Sequence, residues 1–437
     1  MSVPTLQGLQ TALSGLIAEQ AALDVTGNNI ANSNTEGYSR QTAVLQTNTP
    51  IVIPATSPQT GRGAQLGTGV SVETISRVRN TYLDAQYRTQ NSALSGASTQ
   101  VEELTQAQAA FNEPSSSGIA SGLSAFWSAW SSLSSAPTSE EAKQGVVAAG
   151  EQVVDMFHEL SAQLSTISTQ AGEQYAALTG PAGEVQNDAT QIAQLNGQIK
   201  LAEEAGQQPN EMLDRRDLLL DKLSSLAQVS VTEQPDGGDT VSFGDAAKPL
   251  VEGTTVNWPQ TLTESAGGKL GALLSLTSPG GALTSYQTTL NDVANTLAST
   301  VNALHTSTPF FTGTTAATLK VAVKAAQVQT SSTEDAGGNN VAEAIAELRG
   351  GAAQESYASL VEQVGSTVQA AQDDQSNLQT TVTAINNQRQ SVSGVSLDEE
   401  MTNLISFQRG YQASARTLTA MDSMLETLIE HTGTVGL

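Results

Sequence analysis

His158 and Glu159 open the pattern His-Glu-x-x-His, in which two imidazoles one helical turn apart hold zinc and the glutamate acts as base. The fifth position here is Ala162, so the second ligand is missing and no zinc chemistry is expected. The other histidines, His305 and His431, lie far along the chain. Gly61, Gly63, Gly67 and Gly69 make a glycine-rich loop of the kind whose amides cradle phosphate. No Gly-Lys-Ser/Thr follows, and the loop leads into strand-like residues instead of a helix. Asp373 and Asp374 are adjacent on a helical stretch, where neighbours point apart, so they read as a solvated face. No Gly-x-Ser-x-Gly elbow occurs. In Leu213-Asp214-Arg215-Arg216-Asp217 the mixed charges read as ion pairs within one helix, each worth about a few tenths of a kcal/mol. The chain has no cysteine, which excludes disulfides, thiolate nucleophiles and cysteine-held metals. No catalytic, cofactor-binding or metal-binding residue is expected.

Composition narrows the partners. The 437 residues allow two to four domains and at least one sizeable core. Apolar residues make up 38% and aromatics 4%, a mix that suits long helices with small contacts. The 18 basic and 43 acidic residues give a formal net charge of −25. That field repels phosphate backbones and anionic lipid, so neither nucleic acid nor membrane is an expected partner. The first basic residue is Arg40, so no charged signal-peptide start is present. No run of about 18 apolar residues reads as a membrane span. On composition alone the chain would be cytoplasmic.

The elements that dominate are at the two ends. Leu6, Leu9, Leu13, Leu16, Leu23 and Ile30 fall on alternating steps of three and four, with Gln20 and Gly27 in two gaps. Leu404, Phe407, Tyr411, Leu418, Met421, Leu425 and Leu428 do the same, with Ser414 in the gap. A mean spacing of 3.5 keeps an apolar seam against a partner helix, as in a coiled coil. Ser396 and Glu399 form a capping box ahead of the second stripe.

Between the ends, Phe126, Trp130 and Leu133 share a helical face, with Trp127 adjacent. Thr138 and Glu141 form a further capping box after Pro137. Val146, Val153, Phe157, Leu160, Leu164 and Ile167 carry another stripe. Gly180-Pro181 breaks it, Val185, Ile192, Leu195 and Ile199 resume it, and Asn210 is the expected cap of the next helix. Val229 and Val231, the turn Pro235-Asp236-Gly237-Gly238-Asp239, then Val241 and Phe243 read as a β-hairpin. Leu319, Val321 and Val323 suggest a further strand.

The fold expected is mainly α with a small β-rich module. Terminal helices form a coiled-coil-like domain, followed by a long helical bundle and a short antiparallel β insertion. The boundaries are 1–40 with 400–437 for a terminal assembly domain, disordered until polymerised. Residues 41–228, 266–305 and 351–399 form the bundle; 229–265 and 306–350 form a small outer β-rich domain.

SGLIAEQAALDVTGNNIANSNTEGYSRQ, residues 14–41, resembles the N-terminal signature of flagellar rod, hook and hook-associated proteins. Its motif residues are Asn28, Asn29, Ile30, Asn32, Gly37 and Tyr38. The asparagines suit caps or left-handed backbone, and Ile30 pins the turn. FNEPSSSGIASGLSAFWSAWSSLSSAP (111–137), residues 192–238 and residues 386–429 resemble, in order, the hook-associated protein 1 family. GTGVSVETISRVRNTYLDAQYR (67–88) extends the resemblance over most of the chain. The third hook-associated protein is the alternative within the class. The Trp segment and the chain length favour the first.

The resemblance implies a structural adaptor polymerising at the distal end of the hook and forming the junction with the filament, and no enzyme. It implies an extracellular, flagellar location reached by type III export without a cleaved signal, which replaces the cytoplasmic reading. The implied partners are a homo-oligomeric ring, hook protein, the third hook-associated protein on the filament side, and an export chaperone on the C-terminal helix. The two stripes named above become the expected subunit interface. Residues 229–350 leave little room for the larger outer β insertion of many relatives.

Overall fold

A computed structural model describes residues 4–53, 64–235, 237–333 and 337–432. In chain order the elements begin with α1 (Pro4–Ala31), β1 (Gln41–Thr47), β2 (Ile51–Ile53), β3 (Ala64–Leu66) and β4 (Val70–Arg77). Five helices follow: α2 (Thr81–Phe111), α3 (Ile119–Ser135), α4 (Glu140–Thr179), α5 (Glu184–Glu204) and α6 (Asn210–Leu226). Then come β5 (Val229–Thr232), β6 (Thr240–Phe243), β7 (Val251–Glu252), β8 (Thr255–Val256), α7 (Gly268–Thr277) and α8 (Ala282–Leu304). The chain closes with β9 (Phe311–Thr312), β10 (Lys320–Val321), α9 (Asn340–Ala346), α10 (Ala352–Ser393) and α11 (Leu397–Thr432).

Two hydrophobic cores organise the middle. The larger is built by α2, α3, α4, α8, α9 and α10. The α4 stripe from Val146 to Ile167 is buried there, and on α3 Phe126 packs on Trp127 and Trp130 while Phe126 and Trp130 meet Phe310 and Phe126 meets Phe311. Their ring centroids lie 4.8–6.3 Å apart in tilted or edge-on pairs, the arrangement the ring quadrupoles favour. The smaller core joins α5, α6 and α7 to an antiparallel sheet of order β5-β6-β7-β8. Its hairpin register pairs Val229 with Phe243 and Val231 with Val241. Val229, Val241, Phe243 and Val251 are buried in that core. Asp236 of the expected turn lies outside the described residues.

Local chemistry sets the ends of these helices, not always at the expected residue. Ser139, one position after Thr138, caps α4 by accepting from Ala142 N, with Glu140 and Glu141 against the helix dipole. Asn80 caps α2 by accepting from Tyr82 N and Leu83 N. Asn210 is the first residue of α6, and its side chain donates 2.7 Å to Ile75 O instead of capping.

The expected outer domain is divided differently. Residues 229–265 belong to the smaller core, whereas Phe310, Leu319, Val323, Val328 and Val341 pack into the larger one. The reason is size: β9 and β10 are two residues each, too short to stand apart, so their aromatic and aliphatic side chains fill the bundle. Residues 41–77 also leave the bundle assigned to them. β1 pairs antiparallel with β4, and β2 with β3, as an arm along α1.

Candidate functional site

The terminal helices pair with each other. α1 begins at Pro4, whose fixed φ suits a first helical turn, and α11 carries Asp398, Glu399 and Glu400 in its own. The two run antiparallel at close range: a Cβ on Gly8 would stand 2.5 Å from Met421 Cε, and one on Gly15 3.1 Å from Ser414 Oγ. On α11, Leu404, Phe407, Tyr411, Leu418, Met421 and Leu425 are half-buried, and α1 is the helix beside them. On α1 the buried positions are Gln7, Ala12, Ala18, Ala22, Val25, Thr26 and Asn29, between α11 and the β1–β4 pair of the arm. Leu9, Leu16, Leu23 and Ile30 are half-buried at its edges, and the side chain of Leu6 lies outside the described residues.

The predicted C-terminal interface stripe is therefore turned inward, toward the same chain. A period of 3.5 marks a seam without saying whether its mate is intramolecular, and here antiparallel docking supplies the mate. A different set faces outward. Leu13 and Ile17 of α1 are 46% and 57% exposed, and Leu397, Met401 and Ile405 recur every fourth residue on α11 at about half exposure. Met424, Leu428 and Ile429 are exposed near its end, and Val44, Leu45, Ile51 and Leu66 along the arm. Among the described residues, every exposed large hydrophobic side chain except Tyr82 and Leu201 belongs to this terminal module. Of the predicted interface residues, Leu13 and Leu428 share that exposure.

The motif asparagines lock the module's base. Asn29 is buried, and its amide is fully used: Nδ2 donates to Gln41 O at 2.9 Å and to Glu400 Oε2 at 3.1 Å. Its Oδ1 accepts from Gln41 N and from the Tyr38 hydroxyl, both at 2.9 Å. One side chain thus joins α1, the start of β1 and the first turn of α11. Burial, helped by Asp214, Glu211 and Glu400, pushes the Tyr38 hydroxyl up to about 12, so it stays a neutral donor. Asn32 Nδ2 closes the helix by donating to Asn28 O and Oδ1. Gly37 takes a left-handed φ of 80° with its Cα against Leu218 of α6. Ser39 N, two residues on, donates to Asp214 Oδ2.

The other chemistry-bearing residues are occupied structurally. Asp214 and Asp217 pair with Arg77 at 2.8 Å each, and Arg216 reaches Asp239 at 2.7 Å, so these are links between elements and not the intrahelical pairs expected. Burial opposes charge on Asp217, but Arg79, Arg77 and Arg88 outweigh it and hold its carboxyl below the usual range. His158 Nε2 contacts Leu319 O, and His305 bridges Thr308 O and Gln329 N in a buried site that lowers its pKa. Gly69 forms the positive-φ turn that lets Val70 N reach Ser14 Oγ; Gly61 and Gly63 lie outside the described residues. A cleft of about 820 Å³ lies beside the motif turn, but its Asp221 and Glu399 are already paired with arginines. Among the described residues no group of three or more His, Asp or Glu side chains could hold a metal, and no helix is long and apolar enough to cross a membrane.

Comparison with known proteins follows the same division of the chain. Residues 104–265 match the model of the flagellar hook-associated protein FlgK helical domain. Residues 9–38 match the flagella basal body rod protein family, and 386–430 the flagellar basal body rod FlgEFG protein C-terminal family. The chain is 31% identical to flagellar hook-associated protein 1 of Bacillus subtilis (strain 168), over 99% of each chain. It is 26% identical to flagellar hook-associated protein 1 of Escherichia coli (strain K12), over 96% of this chain and 99% of that one. The solved flagellar hook junction protein FlgK from Burkholderia pseudomallei aligns at a TM-score of 0.46 and 25% identity, covering 51% of this chain and 43% of that one.

Proposed function

This chain belongs to the flagellar hook-associated protein 1 family, a structural protein of the bacterial flagellum at the hook–filament junction, and we propose that it acts there as a ring-forming, non-catalytic adaptor whose terminal helix pair is the assembly surface. One observation carries the reading: the exposed apolar side chains gather on α1, the arm and α11, while the two cores of the body cover their own. A patch of that kind on a soluble chain marks an interaction surface. Burying each Leu, Ile or Met contributes roughly 1.5–3 kcal/mol, so a row of five offsets the ordering of two helices against neighbours.

In this reading a copy of the same chain covers Leu13, Ile17, Leu397, Met401 and Ile405. Hook protein lies on one side of the ring and the third hook-associated protein on the other. The exposed end of α11, with Met424 and Ile429, suits an export chaperone before assembly, and export proceeds without a cleaved signal. Purified chain added to isolated hooks and viewed by electron microscopy tests the proposal. Wild type and Leu201→Asp, which alters an exposed apolar residue outside the module, should each add a discrete ring. Ile405→Asp should add none. Equal capping by both variants, or no capping by wild type, sinks the proposal.

A further inference from the structure

Beneath the helix pair lies a closed circuit of charges. Arg79 contacts Asp217 at 3.0 Å, Asp217 contacts Arg88 at 3.0 Å, and Arg88 contacts Asp221 at 2.8 Å. Asp221 contacts Arg389 at 2.8 Å, Arg389 contacts Asp84 at 2.8 Å, and Asp84 returns to Arg79 at 2.9 Å. Arg77 and Asp214 attach as one more neutral pair through Asp217. None of the eight side chains is more than 17% exposed. Four arginines face four aspartates, and every ring member bridges two opposite charges.

The circuit spans the joint between two bodies. Arg77 ends the arm and Arg79 follows it; Asp84 and Arg88 are one turn apart on α2. Asp217 and Asp221 are one turn apart on α6, and Arg389 stands about one turn before the end of α10. Neither core extends into the joint: among the described residues, neither includes one of α1, the arm or α11, and the apolar contact there is Gly37 against Leu218. Further polar links include Arg40 N to Ser393 O, Ser39 N to Asp214 Oδ2, and Asn210 Nδ2 to Ile75 O and Gln41 Oε1. The joint is therefore held by directional contacts of alternating sign. Sliding α2 by one turn would set Arg88 in the place of Asp84, between Arg79 and Arg389, so like charges oppose that slip and favour one arrangement. Apolar surfaces of the same area would tolerate slippage.

We infer that this ring of arginines and aspartates is a positioning device that fixes a single angle between the terminal helix pair and the helical body. Fixing that angle presents the pair to its neighbours in register, which rests on the assembly reading above. The eight side chains are positioning residues and touch no neighbour themselves.

The chain has no cysteine, so Gln10→Cys on α1 and Leu201→Cys on α5 give a clean spin-label pair across the joint. Double electron–electron resonance on the monomer should give one narrow distance distribution. Asp217→Asn, which takes one partner from each of three guanidinium groups and leaves one positive charge unbalanced, should at least double its width while helical circular dichroism is kept. Arg389→Lys keeps the charge but loses the two-pronged reach from Asp84 to Asp221, and should broaden it too. An unchanged width in folded Asp217→Asn overturns the inference; if that variant unfolds, an unchanged width in Arg389→Lys does. Broadened variants that still cap hooks at the wild-type rate refute the link to assembly. Failure of wild type to cap hooks refutes the assembly reading instead, and leaves the distance result to judge the joint.

Discussion

At Asn29 both donors and both acceptors of one amide are used, so no substitution reproduces it. Asn29→Asp is nearly isosteric, yet it replaces the group that donates to Glu400 with a second carboxylate. Two carboxylates at about 3 Å cannot both ionise, and the variant should lose about 2–4 kcal/mol of local stability at pH 7. Trypsin cleavage after Arg40 reads this loss: it should be faster than in wild type at neutral pH. The difference should shrink when cleavage is tested nearer pH 5, where the pair shares a proton. Asp188 on α5 presents the opposite case. Its Oδ2 is buried without a hydrogen bond, and burial, reinforced by Glu184 against the pull of Lys222, raises its pKa from 3.8 to about 6. A folded pKa above the unfolded one means that the folded state binds the proton more tightly. The contribution is then full below pH 4 and lost as pH rises through 6. Asp188→Asn should therefore gain about 1–3 kcal/mol in urea unfolding at pH 7 and almost nothing at pH 4. An equal gain at both would mean that the charge is not the cause.

Elements differ in how firmly they are held. α4 and α8 bury whole stripes in the larger core, whereas α1 and α11 are half-buried against each other and contribute to neither core. Amide exchange in the monomer should be faster by orders of magnitude across 10–28 and 404–425 than along 146–167. Comparable protection in the two regions would show a self-sufficient pair and remove the idea that neighbours complete its folding. The stripes of α4 and the β5–β6 hairpin were legible in sequence because one face of each is buried and the period shows directly. β1 was not: a bulge between Val44 and Leu45 leaves both exposed, and its alternation is broken there. The ring of charges was hidden for another reason. Arg88 lies 129 residues from Asp217, while Arg215 and Arg216 stand beside Asp217 in sequence and suggest a local pairing the fold does not use. The seams were legible as seams, but which face is left for a second copy depends on the antiparallel docking of α1 and α11, which no spacing encodes.

For the molecule as a whole, charge and apolar surface act against each other during assembly. The ring beneath the helix pair is neutral, so the net charge of −25 sits on the remaining surface and every approaching copy carries the same sign. The apolar rows on α1 and α11 drive contact at short range, while repulsion acts over a Debye length of about 20 Å at 20 mM salt and about 7 Å at 200 mM. Raising sodium chloride across that range should therefore strengthen self-association of the purified chain several-fold, as read by sedimentation velocity. Ile405→Asp should abolish association at either concentration, because the apolar contact supplies the attraction and salt removes only the opposition. Phe407→Asp probes the inward face instead, and should unsettle the helix pair in the monomer before any neighbour arrives. Self-association that weakens as salt is added would mean that subunits are drawn together by complementary charges, and the apolar rows would then lose their role as the driving surface.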